Sequence, residues 1–274
     1  SSTATRSCTL TVKNSSNIII AYVYIKQSGV PVKKVSASGD SGAKFYYGNS
    51  NTTSFSYSSS YVSRISASNP GSFTIYLKEN PSPSKTRTFD IIAKNSKGQY
   101  VEIIRVTQSK HTVTSKTINI ESTGGNVYYA NAIASTYSYG NTVVCNSRSG
   151  NYFVVKPSTS TLTRSCKVTV KNSEGEVVAY VTIKQSGVPV KYVTVLGNNS
   201  AKLDYGNSKA TSFKYSSTYV SKITASNSGS FKIYFYANPS ETSSRTFNII
   251  AKNSKDEYVE VIRVTQKSFT PVII

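Results

Sequence analysis

The fold is decided by the stretch from Ser72 to Gln108, which reads SFTIYLKENPSPSKTRTFDIIAKNSKGQYVEIIRVTQ. It returns from Ser230 to Gln266 as SFKIYFYANPSETSSRTFNIIAKNSKDEYVEVIRVTQ. Apolar and polar residues alternate through both copies, which is the pattern of β-strands with one buried face. Clusters of Asn, Ser, Gly and Pro separate the alternating runs, as turns do. The stretch therefore predicts antiparallel β-structure.

The repeat extends beyond this stretch in both directions. The sequence that starts at Val30 is matched by the one that starts at Val188, and both begin Val-Pro-Val. The segment Thr5–Gly29 returns as Thr163–Gly187, and both copies start with Thr-Arg-Ser-Cys. Four predicted hairpins result, with starts at Arg6, Arg87, Arg164 and Arg245 and ends at Gln27, Gln108, Gln185 and Gln266. The repeating unit is roughly 80 residues, which suits a seven-stranded immunoglobulin-like sandwich.

The sequence thus predicts an all-β chain of tandem immunoglobulin-like β-sandwich modules. Three modules are expected, at residues 30–110, 111–187 (the divergent one) and 188–268. Residues 1–29 correspond to the closing hairpin of an incomplete module, and residues 269–274 to the opening strand of a further one. Open strand edges attract other strands. We expect these ends either to continue in a longer array or to self-associate head to tail with neighbouring copies.

Core residues are expected at alternate strand positions. In the divergent module, Gly150-Asn151-Tyr152 aligns with the Gly-Ser-Phe turn and strand of the other modules, which directs Tyr152 inward. The predicted inward set is Phe73, Ile75, Phe89, Tyr152, Val154, Phe231, Ile233 and Phe247. Cys166 takes the position of Phe89, and Cys8 is its copy, so both thiols are interpreted as small core residues. A bond between Cys145 and Cys166 stays open at this stage.

The sequence contains few side chains that could act in catalysis. The chain contains one histidine and 12 acidic against 32 basic residues, whereas a nucleophile–base pair or a carboxylate pair needs such groups within reach. His111 lies at a module junction and is interpreted as a linker residue. No Gly-rich phosphate loop, calcium loop or zinc-ligand spacing occurs in the sequence. We expect a non-enzymatic protein without metal or cofactor.

Charge points to an anionic partner. A formal net charge of +20 raises the affinity for glycans that carry sulfate or sialic acid and for acidic protein surfaces. A solvated surface that keeps the array soluble explains the same charge. The lysines alternate along outward strand faces without a concentrated run, which argues against specific nucleic-acid binding. No apolar run approaches the roughly 18 residues of a membrane-spanning helix.

Tyrosine is the candidate binding residue. The chain has 21 Tyr and no Trp, and seven of the tyrosines cluster among Ser and Asn in the second to fourth strands of the modules. Aromatic rings beside small polar side chains suit sugar stacking or protein contact. Packing in the core, where other sandwiches use Trp, is the alternative. The candidates are Tyr46, Tyr47, Tyr57, Tyr61, Tyr205, Tyr215 and Tyr219.

The closing pattern of the modules resembles that of the BACON-like immunoglobulin-fold domains. It consists of an arginine, an alternating strand, a polar turn and a strand that ends in Val-Thr-Gln or Ile-Lys-Gln-Ser-Gly. The strand YVSKITAS, which starts at Tyr219, is also similar to that family's middle strand, where Trp is common near this position. The resemblance covers nearly the whole chain. It implies surface proteins or glycan-degrading enzymes of gut bacteria, or structural proteins of their phages, in which such modules attach to mucin or carbohydrate or act as spacers.

Together these features predict an extracellular protein at a bacterial cell surface or a virion surface. We expect weak, multivalent attachment to a glycan or an acidic partner, since repetition raises avidity without strong single sites. The alternative is a structural component of a phage virion or extracellular fibre that assembles through its modules. A third reading is the non-catalytic arm of a larger enzyme.

Overall fold

The computed structural model describes residues 2–198 and 200–269. All regular secondary structure in these residues consists of β-strands. The all-β prediction is therefore confirmed. The chain divides into two compact units. One comprises Ser1–Thr114, Ile133–Thr136 and Lys171–Val178, and the other Ser115–Ala132, Tyr137–Val170 and Ala179–Ile274. The strand predicted at 269–274 lies, apart from Phe269, outside the described residues.

A hairpin opens the chain, with β1 at Arg6–Lys13 and β2 at Ile19–Gln27. The two strands are antiparallel, and Arg6 pairs with Gln27. Asn14 closes the turn, since its side-chain oxygen accepts hydrogen bonds from the backbone N–H groups of Ser16 (3.0 Å) and Ile18 (2.9 Å). All side chains of both strands are exposed.

A seven-stranded sandwich follows the hairpin. Its strands are β3 (Val32–Ala37), β4 (Lys44–Gly48), β5 (Ser54–Ser56), β6 (Val62–Asn69), β7 (Ser72–Leu77), β8 (Arg87–Lys94) and β9 (Tyr100–Gln108). The four-stranded sheet has the order β3-β9-β8-β5, with β3 parallel to β9. The three-stranded sheet has the antiparallel order β4-β7-β6. Two such sheets, packed face to face, define an immunoglobulin-like sandwich.

The same strand pattern recurs twice. The next set is β10 (Thr114–Ile120), β11 (Gly125–Tyr128), β12 (Thr136–Tyr139), β13 (Cys145–Ser149), β14 (Tyr152–Val155), β15 (Arg164–Lys171) and β16 (Val177–Gln185). The last set is β17 (Val190–Val195), β18 (Lys202–Gly206), β19 (Ser212–Lys214), β20 (Val220–Asn227), β21 (Ser230–Phe235), β22 (Arg245–Lys252) and β23 (Tyr258–Gln266). Their sheets are β10-β16-β15-β12 with β11-β14-β13, and β17-β23-β22-β19 with β18-β21-β20. We call the three sets the first, middle and third sandwich.

Alternate strand residues fill the cores, as the period of two predicts. In the first sandwich Ile75, Ile91 and Ile104 are completely buried. In the third sandwich Ile233 and Ile249 are equally buried. Six of the predicted inward residues are confirmed: Phe73, Ile75, Phe89, Phe231, Ile233 and Phe247.

The predicted register of the middle sandwich is wrong by one residue. Tyr152 is 45% exposed and Val154 is partly exposed, whereas Phe153 and Val155 are buried. The physical reason is the turn. In the first sandwich Gly71 is the second residue of the turn between paired strand ends, whereas Gly150 is the first residue of the corresponding turn. Aligning the glycines therefore moves every following side chain to the opposite face.

A disulfide between Cys145 and Cys166 joins the two sheets of the middle sandwich. It links the start of β13 to β15, and both residues are completely buried. Cys166 thus occupies the inward position that the sequence predicts. Cys8, its copy in β1, is exposed and free, so its interpretation as a core residue does not hold among the described residues.

Arginine and glutamine clamp the closing hairpin of each sandwich. The arginine Nε donates to the glutamine Oε1 at 2.8, 2.7 and 2.9 Å in the pairs Arg87–Gln108, Arg164–Gln185 and Arg245–Gln266. Each of these arginines also donates through Nη2 to two successive main-chain carbonyls beyond the preceding strand. All three glutamines are completely buried. The repeated pair is therefore part of the structural framework.

Substitution Phe247→Ala tests the register of β22. Phe247 is 9% exposed and packs in the core of the third sandwich, so we expect a loss of about 3–5 kcal/mol in the free energy of unfolding. Its neighbour Thr246 is exposed on the other face, and Thr246→Ala should change that free energy by less than about 0.5 kcal/mol. Chemical denaturation measures both. Equal effects of the two substitutions would contradict the register.

Candidate functional site

Two of the seven candidate tyrosines lie in the sandwich cores. Tyr47 is 1% exposed, and its hydroxyl lies 3.3 Å from Thr52 Oγ1. Tyr205 is 2% exposed and contacts Phe213 edge-on, with 5.7 Å between ring centroids. Burial raises the pKa of both phenols above their ordinary value. Such rings have no open face for a ligand, so these two residues are not part of the candidate site.

Two further candidates pack against the clamp. The Tyr61 ring stacks on Phe89 at 4.7 Å, and the guanidinium of Arg87 lies 5.0 Å from its centroid. Tyr219 repeats this arrangement in the third sandwich, with 4.7 Å to Phe247 and 4.9 Å to Arg245. These rings join the Arg–Gln clamp to the core, which favours a structural role.

The remaining three candidates are exposed, but the structure does not bring them together as one cluster. Tyr46 is 74% exposed, Tyr57 42% and Tyr215 39%. Tyr57 follows β5, and Tyr215 is its counterpart after β19. Tyr46 lies on the outer face of the three-stranded sheet of the first sandwich, where sequence alone did not single out its neighbours.

These neighbours form a cationic tyrosine face, defined here as Lys44, Tyr46, Arg64 and Tyr76. Tyr76 lies on the central strand and pairs in register with Lys44 on one side and Arg64 on the other. The Arg64 guanidinium is 4.1 Å from the Tyr76 ring centroid and the Lys44 ammonium 5.9 Å. Both distances are typical of cation–π contacts. The ring thus holds two cations at an exposed surface, beside the free ring of Tyr46.

The third sandwich carries a second cationic face at the equivalent positions. Tyr234 pairs in register with Lys202 and Lys222, and the Lys222 ammonium lies 4.7 Å from its ring centroid. Two positions differ. Asp204 takes the place of Tyr46, and Lys232, its partner across the strands, takes the place of Thr74. The second face therefore has a carboxylate where the first has an exposed ring.

The cations of both faces are available for a ligand. Within the described ranges 2–198 and 200–269, no ion pair includes Lys44, Arg64, Lys202 or Lys222. The carboxylates that form ion pairs lie on other strands and turns: Asp90, for example, binds Arg105 through two hydrogen bonds of 2.9 and 2.8 Å. Unpaired exposed cations attract anionic groups of a ligand.

A second polar cluster surrounds His111, which is 5% exposed. Its Nδ1 lies 3.0 Å from Glu79 Oε1 and 3.4 Å from Asp40 Oδ1 without hydrogen-bond geometry, and its Nε2 is 3.3 Å from the Val178 carbonyl oxygen. The Thr112 N–H donates to Asp40 at 2.8 Å, and this hydrogen bond lowers the pKa of Asp40. Burial raises the pKa of Glu79. The interpretation of His111 as a linker residue did not anticipate this burial.

All three residues of this cluster differ between the first and the third sandwich. The third sandwich replaces the aspartate, glutamate and histidine with Asn198, Ala237 and Phe269. The backbone N–H of Phe269 donates to Ser240 as that of His111 donates to Ser82, both at 2.8 Å. The histidine and its carboxylates thus take the places of an asparagine, an alanine and a phenylalanine in the third sandwich, which favours a structural role for them. The described residues contain no group of three or more His, Cys, Asp or Glu side chains that could hold a metal ion. They also form no helix that could span a membrane.

No protein-family model matches the sequence, and no curated protein matches it. Among solved structures, the chain is similar to an endo-fucoidan hydrolase of glycoside hydrolase family 107, with 13% identity and a TM-score of 0.23 over 89% of this chain and 44% of that one. It is also similar to SGBP-B of the Bacteroides ovatus mixed-linkage glucan utilization locus (11%, TM-score 0.21, 88% and 66%). A third likeness is to the sialic acid binding region of a Streptococcus sanguinis adhesin (11%, TM-score 0.24, 88% and 78%).

The chain spans 44% and 66% of the first two of these structures, which is less than two thirds of their length. At these identities and TM-scores we infer nothing about function from the likeness. The functional interpretation therefore depends on the side chains described above.

Substitution His111→Phe tests the coupling in the histidine cluster. Alone, it should cost about 1–3 kcal/mol of unfolding free energy, because Glu79 loses its partner at a site where only 13% of its side chain is exposed. The triple variant His111→Phe, Asp40→Asn and Glu79→Ala copies the third sandwich and should recover most of this loss. Denaturant unfolding of the unsubstituted chain, the single variant, the double variant Asp40→Asn with Glu79→Ala, and the triple variant gives the coupling energy. Additive losses in the triple variant would contradict the interpretation of these residues as one set.

Proposed function

We propose that this chain is a non-enzymatic attachment protein that binds anionic glycans through its two cationic tyrosine faces. The observation that carries the proposal is the repeated tyrosine held between two unpaired cations on an exposed sheet. It recurs as Lys44–Tyr76–Arg64 and as Lys202–Tyr234–Lys222.

The first face offers complementary groups for a charged sugar. Lys44 and Arg64 can pair with sulfate or carboxylate groups, and a guanidinium can do so with two parallel hydrogen bonds. Arg64 already lies over the Tyr76 ring at 4.1 Å, so less side-chain freedom is lost when a ligand binds. The exposed ring of Tyr46 offers an apolar face against which a sugar ring can stack.

Each face is expected to bind weakly, because exposed ion pairs contribute only about 0–1 kcal/mol each. Two faces on one chain raise the avidity for a polymer that presents many anionic groups. The formal net charge of +20 adds a general attraction that salt screens. Weak individual faces, their repetition and a high positive charge suit attachment to a charged polymer outside the cell.

An extracellular location at a bacterial cell or virion surface belongs to this proposal, as does the BACON-like affiliation. The exposed apolar hairpin β1–β2 favours a second candidate function, that of a structural component of a phage virion or extracellular fibre assembled through its modules. The two functions differ in the surface that they use. The first needs the cationic faces, and the second needs strand pairing.

The experiment measures binding of the chain to heparin, a sulfated polysaccharide, with desulfated heparin as the ligand control. Affinity should fall steeply between about 50 and 150 mM salt. The double variant Lys44→Ala and Arg64→Ala should lower it about five- to tenfold, the effect of losing two exposed ion pairs. Lys34 and Lys97 are also exposed, so Lys34→Ala with Lys97→Ala removes the same charge elsewhere and should have little effect. Equal losses in the two double variants would assign binding to general charge and contradict the site.

The difference between the two faces gives a further control within the same experiment. Asp204→Tyr should raise the affinity, because it replaces a repelling carboxylate with the ring that the first face has. Tyr46→Asp should lower it for the opposite reason. Binding that ignores both substitutions, or binding to acidic protein but not to heparin, would overturn the glycan proposal.

A further inference from the structure

The chain contains the same closing hairpin in two environments. Thr5–Gly29 forms β1 and β2 with all strand side chains exposed, whereas its copy Thr163–Gly187 forms β15 and β16 inside the middle sandwich. The copy therefore shows what covers this hairpin when a sandwich is complete. This comparison is independent of the glycan-binding faces.

The uncovered residues are the core residues of the copy. Leu10, Val23 and Ile25 are 53%, 45% and 45% exposed. Their counterparts in the middle sandwich are all 0% exposed: Val168, Val181 and Ile183. Val12 and Ile20, at 37% and 63% exposed, correspond likewise to residues that are 0% exposed, namely Val170 and Val178. One face of the hairpin is thus a complete set of core side chains in contact with solvent.

Two polar features of the hairpin match the copy as well. Arg6 Nη2 donates to Gln27 Oε1 at 3.2 Å, so the two residues of the clamp are already paired. In the copy, the glutamine Nε2 donates to the carbonyl oxygens of Ser122 (3.0 Å) and Lys156 (2.8 Å), which follow β10 and β14. Strands that complete the hairpin would therefore have to place two carbonyls at the same positions.

The cysteine provides the third feature. Cys8 aligns with Cys166, whose disulfide partner Cys145 is the first residue of β13. In the other two sandwiches the residue that starts the corresponding strand is a valine, Val62 or Val220. A thiol in β1 thus matches strands of the middle type, with a cysteine at the start of the fourth strand.

We propose that the face of β1 and β2 binds the five opening strands of another immunoglobulin-like module of the middle type. Within this complex Cys8 forms a disulfide with the cysteine that starts the fourth strand. The Cys8 thiolate attacks a low-molecular-weight disulfide such as oxidised glutathione and releases one thiol. The partner thiolate then attacks the Cys8 sulfur and releases the second, so two protein thiols are oxidised and one disulfide is reduced.

Within residues 2–198 and 200–269, a second copy of this chain does not supply these strands. In each of its three sandwiches the opening strands are already paired with their own closing hairpin, β8–β9, β15–β16 or β22–β23. Exchange of one hairpin for another would leave an equal hairpin uncovered. The occupant is therefore a set of five opening strands that has no closing hairpin of its own.

The experiment places such strands next to the hairpin in the full chain. Residues His111–Ser158 are fused in front of Ser1, because Ser2 aligns with Ser160 in the repeat. The fused protein is folded with reduced and oxidised glutathione. Peptide mapping should find a disulfide between Cys8 and the cysteine of the added segment, and Cys8 should lose its reaction with a thiol reagent. Amide exchange in β1 and β2 should slow about a hundredfold or more relative to the unfused chain.

Two matched variants of the fused protein separate face-specific packing from mere tethering. Leu10→Lys places a charge on the proposed contact face and should abolish both the disulfide and the protection of the amides. Thr9→Lys changes the other face and introduces the residue found in the copy, Lys167, so it should leave both unchanged. Cys8→Ser should remove the disulfide and keep most of the amide protection.

Three results would overturn the proposal. The first is fused protein in which β1 and β2 exchange as fast as in the unfused chain. The second is equal behaviour of the Leu10→Lys and Thr9→Lys variants. The third is an unfused chain that dimerises with its β1–β2 amides already protected, because a second copy would then be the occupant. None of these results depends on glycan binding, so the two proposals fail separately.

Discussion

A buried glutamine side chain closes each seven-stranded sandwich of this chain. Its oxygen accepts from an arginine at the start of the preceding strand, and its amide donates to main-chain carbonyls. In the first sandwich the amide of Gln108 bonds to Ser38 (2.9 Å) and Lys78 (3.0 Å), which follow β3 and β7. Since a buried amide without partners costs about 1–3 kcal/mol, the strand ends around it stay together. The clamp thus couples the two sheets at this end of the sandwich, beside the backbone hydrogen bond from the Asn80 N–H to the Gly39 carbonyl oxygen (2.8 Å).

The rest of the architecture depends on this coupling. Because the clamp fixes one end of each sandwich, the strand faces can differ between repeats: a disulfide joins the sheets in the middle sandwich, whereas Tyr61 or Tyr219 stacks beside the clamp in the others. The outer faces of the three-stranded sheets are then free to carry lysine, arginine and tyrosine. The N-terminal hairpin has the same arginine and glutamine, but its apolar face is exposed. It therefore has the residues of the clamp, but no other strand of the described residues pairs with it.

Repetition made much of this fold predictable. The alternation in Ser72–Gln108 predicts the strands and the inward faces correctly, and the four Arg and Gln positions mark the closing hairpins. The exceptions are Tyr152 and Val154, because a glycine at the first rather than the second turn position shifts the register. A shift of one residue moves every following side chain to the other face of the sheet. The divergent module has no second copy in the chain with which the predicted register could be compared.

The candidate site was less predictable because it is formed across strands. Tyr46 and Tyr47 are neighbours in sequence, yet one is exposed and the other is in the core. Tyr76 becomes part of the candidate site only because it pairs with Lys44 and Arg64, which lie on the two neighbouring strands. The alternation of side chains along each strand could have predicted that all three point to one face. The pairing register that places them side by side is not visible in the sequence and is seen only in the structure.

Amide exchange in two matched variants, Gln185→Met and Gln27→Met, tests most directly whether the clamp holds the sandwiches together. Both glutamines lie in the same Ile-Lys-Gln-Ser-Gly sequence, but Gln185 is buried and donates to the carbonyl oxygens of Ser122 and Lys156, whereas Gln27 is exposed. We predict that Gln185→Met lowers the opening free energy of β15 and β16 by about 2–4 kcal/mol. Gln27→Met should change that of β1 and β2 by less than about 0.5 kcal/mol. Unchanged protection in the Gln185 variant, or equal losses in both hairpins, would contradict this account.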